Sequence, residues 1–420
     1  MVRLGERFWR YQALAIATAG MTIALTMGLA AAPSKVAAKA EATDARLTGD
    51  KASTTFQLTL SEGLMVQAFT LADPYRVILD LPDLTFQLDP AVGQKGRGLV
   101  TAFRYGLFAE NKSRVVIDTT GPVKITSAAM TRVGSGKSVR LAVVLSPIDA
   151  ASFGAGTGAT RPQEPDAGAK RSPRADKKAT PRERSKPVVV IDPGHGGIDP
   201  GAIGINNVFE KTIVLAVAKQ LESALIKIGG YDVKMTRTDD VFISLDDRLE
   251  YSAADDADLF ISLHADSIEG KKFAESVRGA TIYTLSDKAS DEQSRLMAEK
   301  ENASDLIAGI ASANQGANDQ VQNILFDLMK RETSNFSADF SHVLAKRLGK
   351  TITMSRIPRR SAGFKVLKQS HAPSVLIELG YVSNQNDEQQ MTTAAWQSKV
   401  ASSIAAAVQI YFSKRTAERP

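Results

Sequence analysis

Cysteine is absent from all 420 residues, which excludes a disulfide framework, a thiolate zinc finger and a cysteine nucleophile. Histidine is nearly as scarce, with four in the chain, so any metal site has to combine a few imidazoles with carboxylates. That donor set suits a catalytic zinc with an open position better than a closed structural site. No segment after Ala32 is long and apolar enough to cross a membrane. Charge of one sign is not in large excess either: the net charge is +6, part of it local, and nucleic acid is not an expected partner. What remains, 43% apolar and 23% charged residues, is ordinary globular material, long enough for two or three domains.

The N-terminus joins a basic start (Arg3, Arg7, Arg10) to an apolar stretch from Ala13 to Ala32 and a small-residue tail, with a cleavage candidate at Ala38-Lys39-Ala40. This pattern is a secretory signal peptide over residues 1–40. The stretch is long enough to anchor an uncleaved chain, but its threonines and glycines favour removal. No adjacent arginine pair precedes it, so the general secretory route is expected, and the working compartment is the periplasm. A second low-complexity stretch, residues 147–186, mixes Pro, Gly and Ala with Lys170, Arg171, Arg174, Lys177 and Lys178. It has too few large apolar residues to offset its ordering entropy and is expected to be a disordered linker.

The linker divides two patterned regions. Residues 41–146 alternate as strands: Phe56 to Leu60, Tyr75 to Leu81, Ser113 to Asp118 and Val139 to Leu145. Arg76 to Asp80 and Arg114 to Asp118 repeat one another as Arg-Val-apolar-apolar-Asp, as in two related halves of a small all-β sandwich. No histidine occurs there, so it is expected to bind or target rather than catalyse. Residues 187–415 alternate strands with helices, predicting an α/β domain with a mixed, largely parallel sheet. A helix is marked by Val214, Val217, Ala218, Leu221 and Leu225. Further strands are expected at 232–235, 259–263, 280–285 and 374–379, with a final amphipathic helix over 394–412.

Chemistry concentrates at strand ends in this second region. His195 follows the run Val188 to Ile191 on a turn bracketed by Gly194, Gly196 and Gly197, which permit close approach and positive φ. His264 ends the run beginning at Leu259 in the same way. Two histidines need a third donor, and Glu210, at the start of the helix after the first motif, is the best placed. Glu378 closes the apolar run Ser374 to Ile377, where an ionisable group is costly unless something satisfies it. As a general base it would take a proton from water attacking a carbonyl and return it to a leaving nitrogen. Of the remaining histidines, His342 falls in a helix. His371 precedes Pro373 in a loop near the proposed base and could line the cleft.

Asp192 to Gly197, Glu210-Lys211, Ser262 to Asp266 and Glu378 to Asn384, in this order, resemble the zinc-dependent N-acetylmuramoyl-L-alanine amidases of type 3. The resemblance implies hydrolysis of the amide bond between N-acetylmuramic acid and L-alanine in peptidoglycan. It makes His195, Glu210 and His264 ligands of one zinc ion and Glu378 the catalytic glutamate. The family often carries Asn four residues after the ligand glutamate, where this chain has Val214, which puts one supporting contact in doubt. The β-rich region resembles the AMIN domain of cell-division amidases, implying peptidoglycan binding and placement at the septum for daughter-cell separation.

Residues 287–333 interrupt the α/β pattern with a charged helical stretch, an Asn/Gln/Gly-rich turn and an apolar stripe through Val321, Ile324, Leu325, Leu328 and Met329. In the division amidases a comparable insertion covers the zinc and lends it a glutamate until an activator removes it. By that resemblance Glu301 is the inhibitory fourth ligand, with Glu299 and Asp305 as alternatives. The stripe is either a packing face or a docking surface for a LytM-type activator. The chain is expected to act as a monomer. Two other functions fit the same inventory: another envelope zinc peptidase or deacetylase, and a catalytically inactive peptidoglycan-binding regulator.

Overall fold

Strict alternation makes the first region a sandwich. In β2 (Thr54–Leu60), Thr54, Phe56, Leu58 and Leu60 are buried and their neighbours are half-exposed, as a strand with one covered face requires. The computed structural model describes residues 39–109, 111–153, 186–268, 277–310, 324–369 and 371–417, without the side chains of 324–331, 416 and 417. Residues 1–38 of the proposed signal peptide and the body of the proposed linker lie outside these residues, and the first strand begins at Ala40, the last residue of that proposed peptide. β1 (Ala40–Gly49), β2, β5 (Leu84–Phe86), β8 (Val123–Arg132) and β9 (Val139–Pro147) form one sheet in the order β5-β1-β2-β9-β8. The other runs β3-β4-β7-β6, from β3 (Gln67–Leu71), β4 (Arg76–Pro82), β6 (Val100–Ala109) and β7 (Lys112–Thr119). Phe56, Leu58 and Val143 from one sheet meet Val77, Leu79, Val115 and Ile117 from the other in one core.

The repeated segments fall on β4 and β7, which are antiparallel neighbours with Arg76 opposite Asp118 and Asp80 opposite Arg114. Arg114 pairs with Asp80 at 2.6 Å, whereas Asp118 pairs with Arg104 of β6.

The second region is built on a six-stranded sheet, β11-β10-β12-β15-β13-β14. Its strands are β10 (Val188–Pro193), β11 (Asp232–Met235), β12 (Leu259–His264), β13 (Ala280–Leu285), β14 (Met354–Ala362) and β15 (Ser374–Glu378). Pairing is parallel except between β13 and β15, so the sheet is mixed and largely parallel. Every residue of β10, β12 and β15 is buried, because helices cover both faces.

On one face lie α1 (Glu210–Ile228), α5 (Ile324–Leu348) and α7 (Ala394–Ala417). Val217 and Leu221 of α1, Phe340 and Leu344 of α5 and Ile404 and Val408 of α7 share a core with Ile261 and Val375. Each such fully buried side chain contributes about 1.5–3 kcal/mol of hydrophobic stabilisation. On the other face, Met297 and Ala298 of α3 (Glu292–Asn302) pack with Phe260, Tyr283, Phe364 and Leu376. The charged insertion therefore covers the sheet. The remaining helices are α2 (Leu245–Ala254), α4 (Ser304–Ile307) and α6 (Gln385–Met391).

Two elements carry no readable pattern. α2 buries Leu245, Arg248 and Ser252, so two of its three inward positions are polar. β14 contains Pro358 and three arginines, and its register jumps from Met354 to Arg359 against β13; as an edge strand it accommodates both.

Candidate metal centre

β10, β12 and β15 are adjacent and parallel, so their C-terminal ends open on one edge of the sheet, where α/β folds place ligands. His195 follows β10, His264 ends β12, and Glu378 ends β15 directly opposite His264 in register. Close approach explains the glycines. A Cβ on Gly194 would lie 2.5 Å from the His264 ring, and one on Gly201 would lie 2.7 Å from both Glu210 Oε2 and His195 Cδ2. His195 itself takes a left-handed φ of 57°, uncommon for a residue with a side chain.

The structure brings His195, Glu210 and His264 together. Glu210 Oε1 lies 3.2 Å from His195 Nε2 and 3.3 Å from His264 Nδ1. Glu301 Oε2, from the last turn of α3, lies 3.3 Å and 3.1 Å from the same two nitrogens. A tetrahedral ion with ligands at about 2.0–2.1 Å would have ligand edges of about 3.3–3.4 Å, so these spacings fit one zinc-sized cation. His195 Nε2 and His264 Nδ1 also have no hydrogen-bond partner among the described residues although both are buried. Two orphaned imidazole nitrogens facing two carboxylates are the donor set zinc takes.

The alternatives for the inserted glutamate go elsewhere: Glu299 is exposed beside Arg295, and Asp305 accepts from the Leu245 amide at 2.9 Å. His371 Nε2 lies 3.4 Å from Ser252 Oγ and His342 is exposed on α5, so neither joins the cluster.

Supporting contacts aim each donor. Asp199 Oδ2 accepts from His195 Nδ1 at 2.8 Å, leaving Nε2 to face the centre. Glu210 accepts backbone N–H groups of Ala202 at 2.8 Å and Ala265 at 2.7 Å. Val214, where the family often has asparagine, is fully buried in the core, and these amides hold the carboxylate. Arg248 donates to the carbonyls of Pro193 and His195 and to Asp192, while Arg237 donates to those of Pro193 and Gly194. Sequence reasoning missed Asp199, Arg237 and Arg248. The signal for Asp199 was present, an aspartate on a Pro-Gly turn four residues beyond His195; the arginines lie 42 and 53 residues beyond it and had none.

Electrostatics follow from burial and facing charge. Burial disfavours a charged imidazole, yet Glu210, Asp199 and Glu301 outweigh it and raise His195 well above its usual range. His264 is pushed up to about 10 against the same burial, by Glu301 and Glu210. The cluster favours positive charge at its centre. Glu378 is fully buried, its Oε2 accepts from the Asp266 amide at 3.0 Å, and its Oε1 has no partner among the described residues. Burial first, then the neighbouring Asp266, raises it well above the ordinary carboxylate range.

The insertion closes the centre. Ser294, Met297, Ala298 and Glu301 form the buried face of α3, Lys300 pairs with Asp266, and Ser304 donates to Asp199 at 2.7 Å. The cavity left among His195, His264 and Glu301 is about 10 Å³, roughly the room of one water.

Residues 189–410, more than half the chain, match the family model described as N-acetylmuramoyl-L-alanine amidase. The chain belongs to the N-acetylmuramoyl-L-alanine amidase family. It is thus an enzyme, an amidase, and its residues 44–145 match the AMIN domain. It is 32% identical to N-acetylmuramoyl-L-alanine amidase AmiC of Escherichia coli, over 83% of this chain and 84% of that protein. It is 30% identical to AmiC of Neisseria meningitidis serogroup B, over 96% and 97%. A solved structure, the catalytic domain of the amidase CwlV from Bacillus (Paenibacillus) polymyxa var. colistinus, is 27% identical over 54% of this chain and 98% of that one, with a TM-score of 0.38.

Proposed function

We propose that this amidase hydrolyses the bond between the lactyl group of N-acetylmuramic acid and L-alanine in peptidoglycan, using one zinc ion held by His195, Glu210 and His264. The observation that carries the reading is the convergence of these donors at tetrahedral spacing beside a buried glutamate with a free oxygen. A bound zinc ion supplies a Lewis acid for the scissile carbonyl and lowers the pKa of water. Glu378 does the proton transfer: Oε1 accepts a proton from the attacking water and delivers it to the L-alanine nitrogen as the carbon–nitrogen bond breaks. Asp199 keeps His195 in the tautomer that presents Nε2, and the Ala202 and Ala265 amides hold Glu210 in place.

The conformation with Glu301 against both histidines is an inhibited one. The insertion takes the fourth position and fills the space a glycan-linked stem peptide needs, and a LytM-type activator would displace it. The side chains of the apolar stripe from Val321 to Met329 lie outside the described residues, and its role as the docking surface is part of the proposal. The wider reading follows the same line: a signal peptide over 1–40 delivers the chain to the periplasm, an AMIN region over 41–146 holds it at the septal wall, and a linker over 147–186 joins a catalytic region at 187–415 containing the insertion at 287–333.

Digestion of purified peptidoglycan, with and without chelator, tests the reaction. Free stem peptides and intact glycan strands are expected from activated enzyme, and chelation should abolish both. Shortened stems or deacetylated glycan would indicate the peptidase or deacetylase alternative, and inertness of both wild type and Glu301→Ala the inactive regulator.

A further inference from the structure

The repeated Arg76–Asp80 and Arg114–Asp118 segments have no part in the amidase centre, yet they reach its cover from outside. β4 and β7 turn Val77, Leu79, Val115 and Ile117 into the sandwich. Their opposite face, through fully buried Ile78 and Val116, packs with Ile198, Phe242 and Ala308 of the catalytic region. Ala308 lies just beyond α4, in the stretch that carries Glu301 to the histidines and Ser304 to Asp199.

Two sandwich arginines bond to backbone carbonyls at and just past the end of α4, one of which, that of Leu306, also accepts from the Gly309 amide at 3.0 Å. Arg76 Nη1 donates to the Leu306 carbonyl. Arg114 Nη1 donates to those of Ala308 at 3.1 Å and Gly309 at 3.3 Å. Arg114 is itself fixed by two bonds to Asp80, at 2.6 and 2.9 Å, and by the Phe108 ring 3.4 Å away. Arg76 is 1% and Arg114 3% exposed, and the Arg114 bonds are buried, where releasing a partner is costly. Gly309 has a φ of 75°, and a Cβ there would lie 2.6 Å from Ile78 Cδ1.

The sandwich also grips the part of the site that does not belong to the insertion. Ile198 N, three residues after His195, donates to the Leu107 carbonyl of β6 at 3.0 Å. The two backbones approach so closely that a Cβ on Gly106 would lie 2.5 Å from the Gly197 carbonyl carbon. One rigid sheet therefore contacts both the metal loop and the end of the cover.

We propose that the AMIN-like sandwich latches the inhibitory segment shut: Arg76 and Arg114, with Ile78 and Val116, hold residues 306–309 and so keep Glu301 in the metal centre. The proposal rests on the reading that Glu301 closes the site. It gives the first region a second task, coupling its own position to amidase activity. Withdrawal of the sandwich frees the carbonyls at the end of α4 and loosens the cover.

Hydrogen exchange on the full chain, paired with peptidoglycan hydrolysis, tests this. Two variants approach the contact from opposite sides: Arg76→Gln with Arg114→Gln in the sandwich, and Gly309→Val in the cover, which leaves the sandwich sequence intact. Unchanged exchange in β2 and β9 verifies the fold of the sandwich. Both variants should exchange amides 304–310 about tenfold faster or more than wild type, and both should hydrolyse peptidoglycan faster without activator. Unchanged exchange in that stretch for Gly309→Val would overturn the latch. Faster exchange with unchanged hydrolysis, where Glu301→Ala does raise hydrolysis, would overturn its control of activity. Unchanged hydrolysis in Glu301→Ala would instead overturn the closure reading, and the regulatory role of the latch with it.

Discussion

Two glutamates present one oxygen each to the same pair of histidines, and they are held in opposite ways. Glu210 begins α1 and accepts backbone amides from the loops that follow β10 and β12, so moving it would disrupt the sheet edge. Glu301 ends a helix that lies over the site and is kept there by side chains: Met297 and Ala298 packed on the sheet, Lys300 on Asp266, Asn302 on Gly363 at 2.9 Å, Ser304 on Asp199, and the two sandwich arginines. Equal distances to the histidines thus conceal unequal costs of removal. In the proposed mechanism the carboxylate fixed by backbone is the permanent one, and the one carried by the covering helix is the one released.

Substitutions on the permanent side should show the largest effects. Glu378→Gln keeps the shape of the proposed base but cannot take the proton, so hydrolysis should fall by about 10²–10⁴-fold with metal content unchanged; loss of metal would recast Glu378 as a ligand. Asp199→Ala removes the group that orients His195 and should weaken metal affinity by about 10–100-fold, as read by competition with a chelating dye. Because Asp199 also receives Ser304, this variant bridges the two sides. Unchanged affinity would mean that the loop backbone, with Arg248 and Arg237 on its carbonyls, is sufficient to aim the imidazole.

How much of this was legible in the sequence follows the same division. The two histidines and the glutamate closing β15 end short apolar runs, His195 and Glu378 with glycine close by, and Glu210 opens a helix with a clear apolar face, so local pattern and chemistry coincide. The structure brings His195, Glu210 and His264 to one point and sets Glu378 opposite His264. Glu301 stood among three acidic residues of one charged stretch, and separating it from Glu299 and Asp305 required the helix bounds and phase: position 301 shares a face with Met297 and Ala298, which pack against the sheet, while Asp305 falls on the next helix. β14 and α2 were hidden because their inward positions are polar or absent. The arginine repeat was visible, but its outward face was not, since only the tertiary contact shows that Ile78 and Val116 are covered from both sides.

The central claim is that His195, Glu210 and His264 suffice for the metal while Glu301 only closes the site. Zinc content and activator-free peptidoglycan hydrolysis, measured together on Glu301→Ala, test it most directly. The account predicts one zinc per chain, as in wild type, and hydrolysis raised about tenfold or more as the competent fraction grows. Zinc lost from the variant, or zinc retained with hydrolysis no higher than wild type, would contradict it.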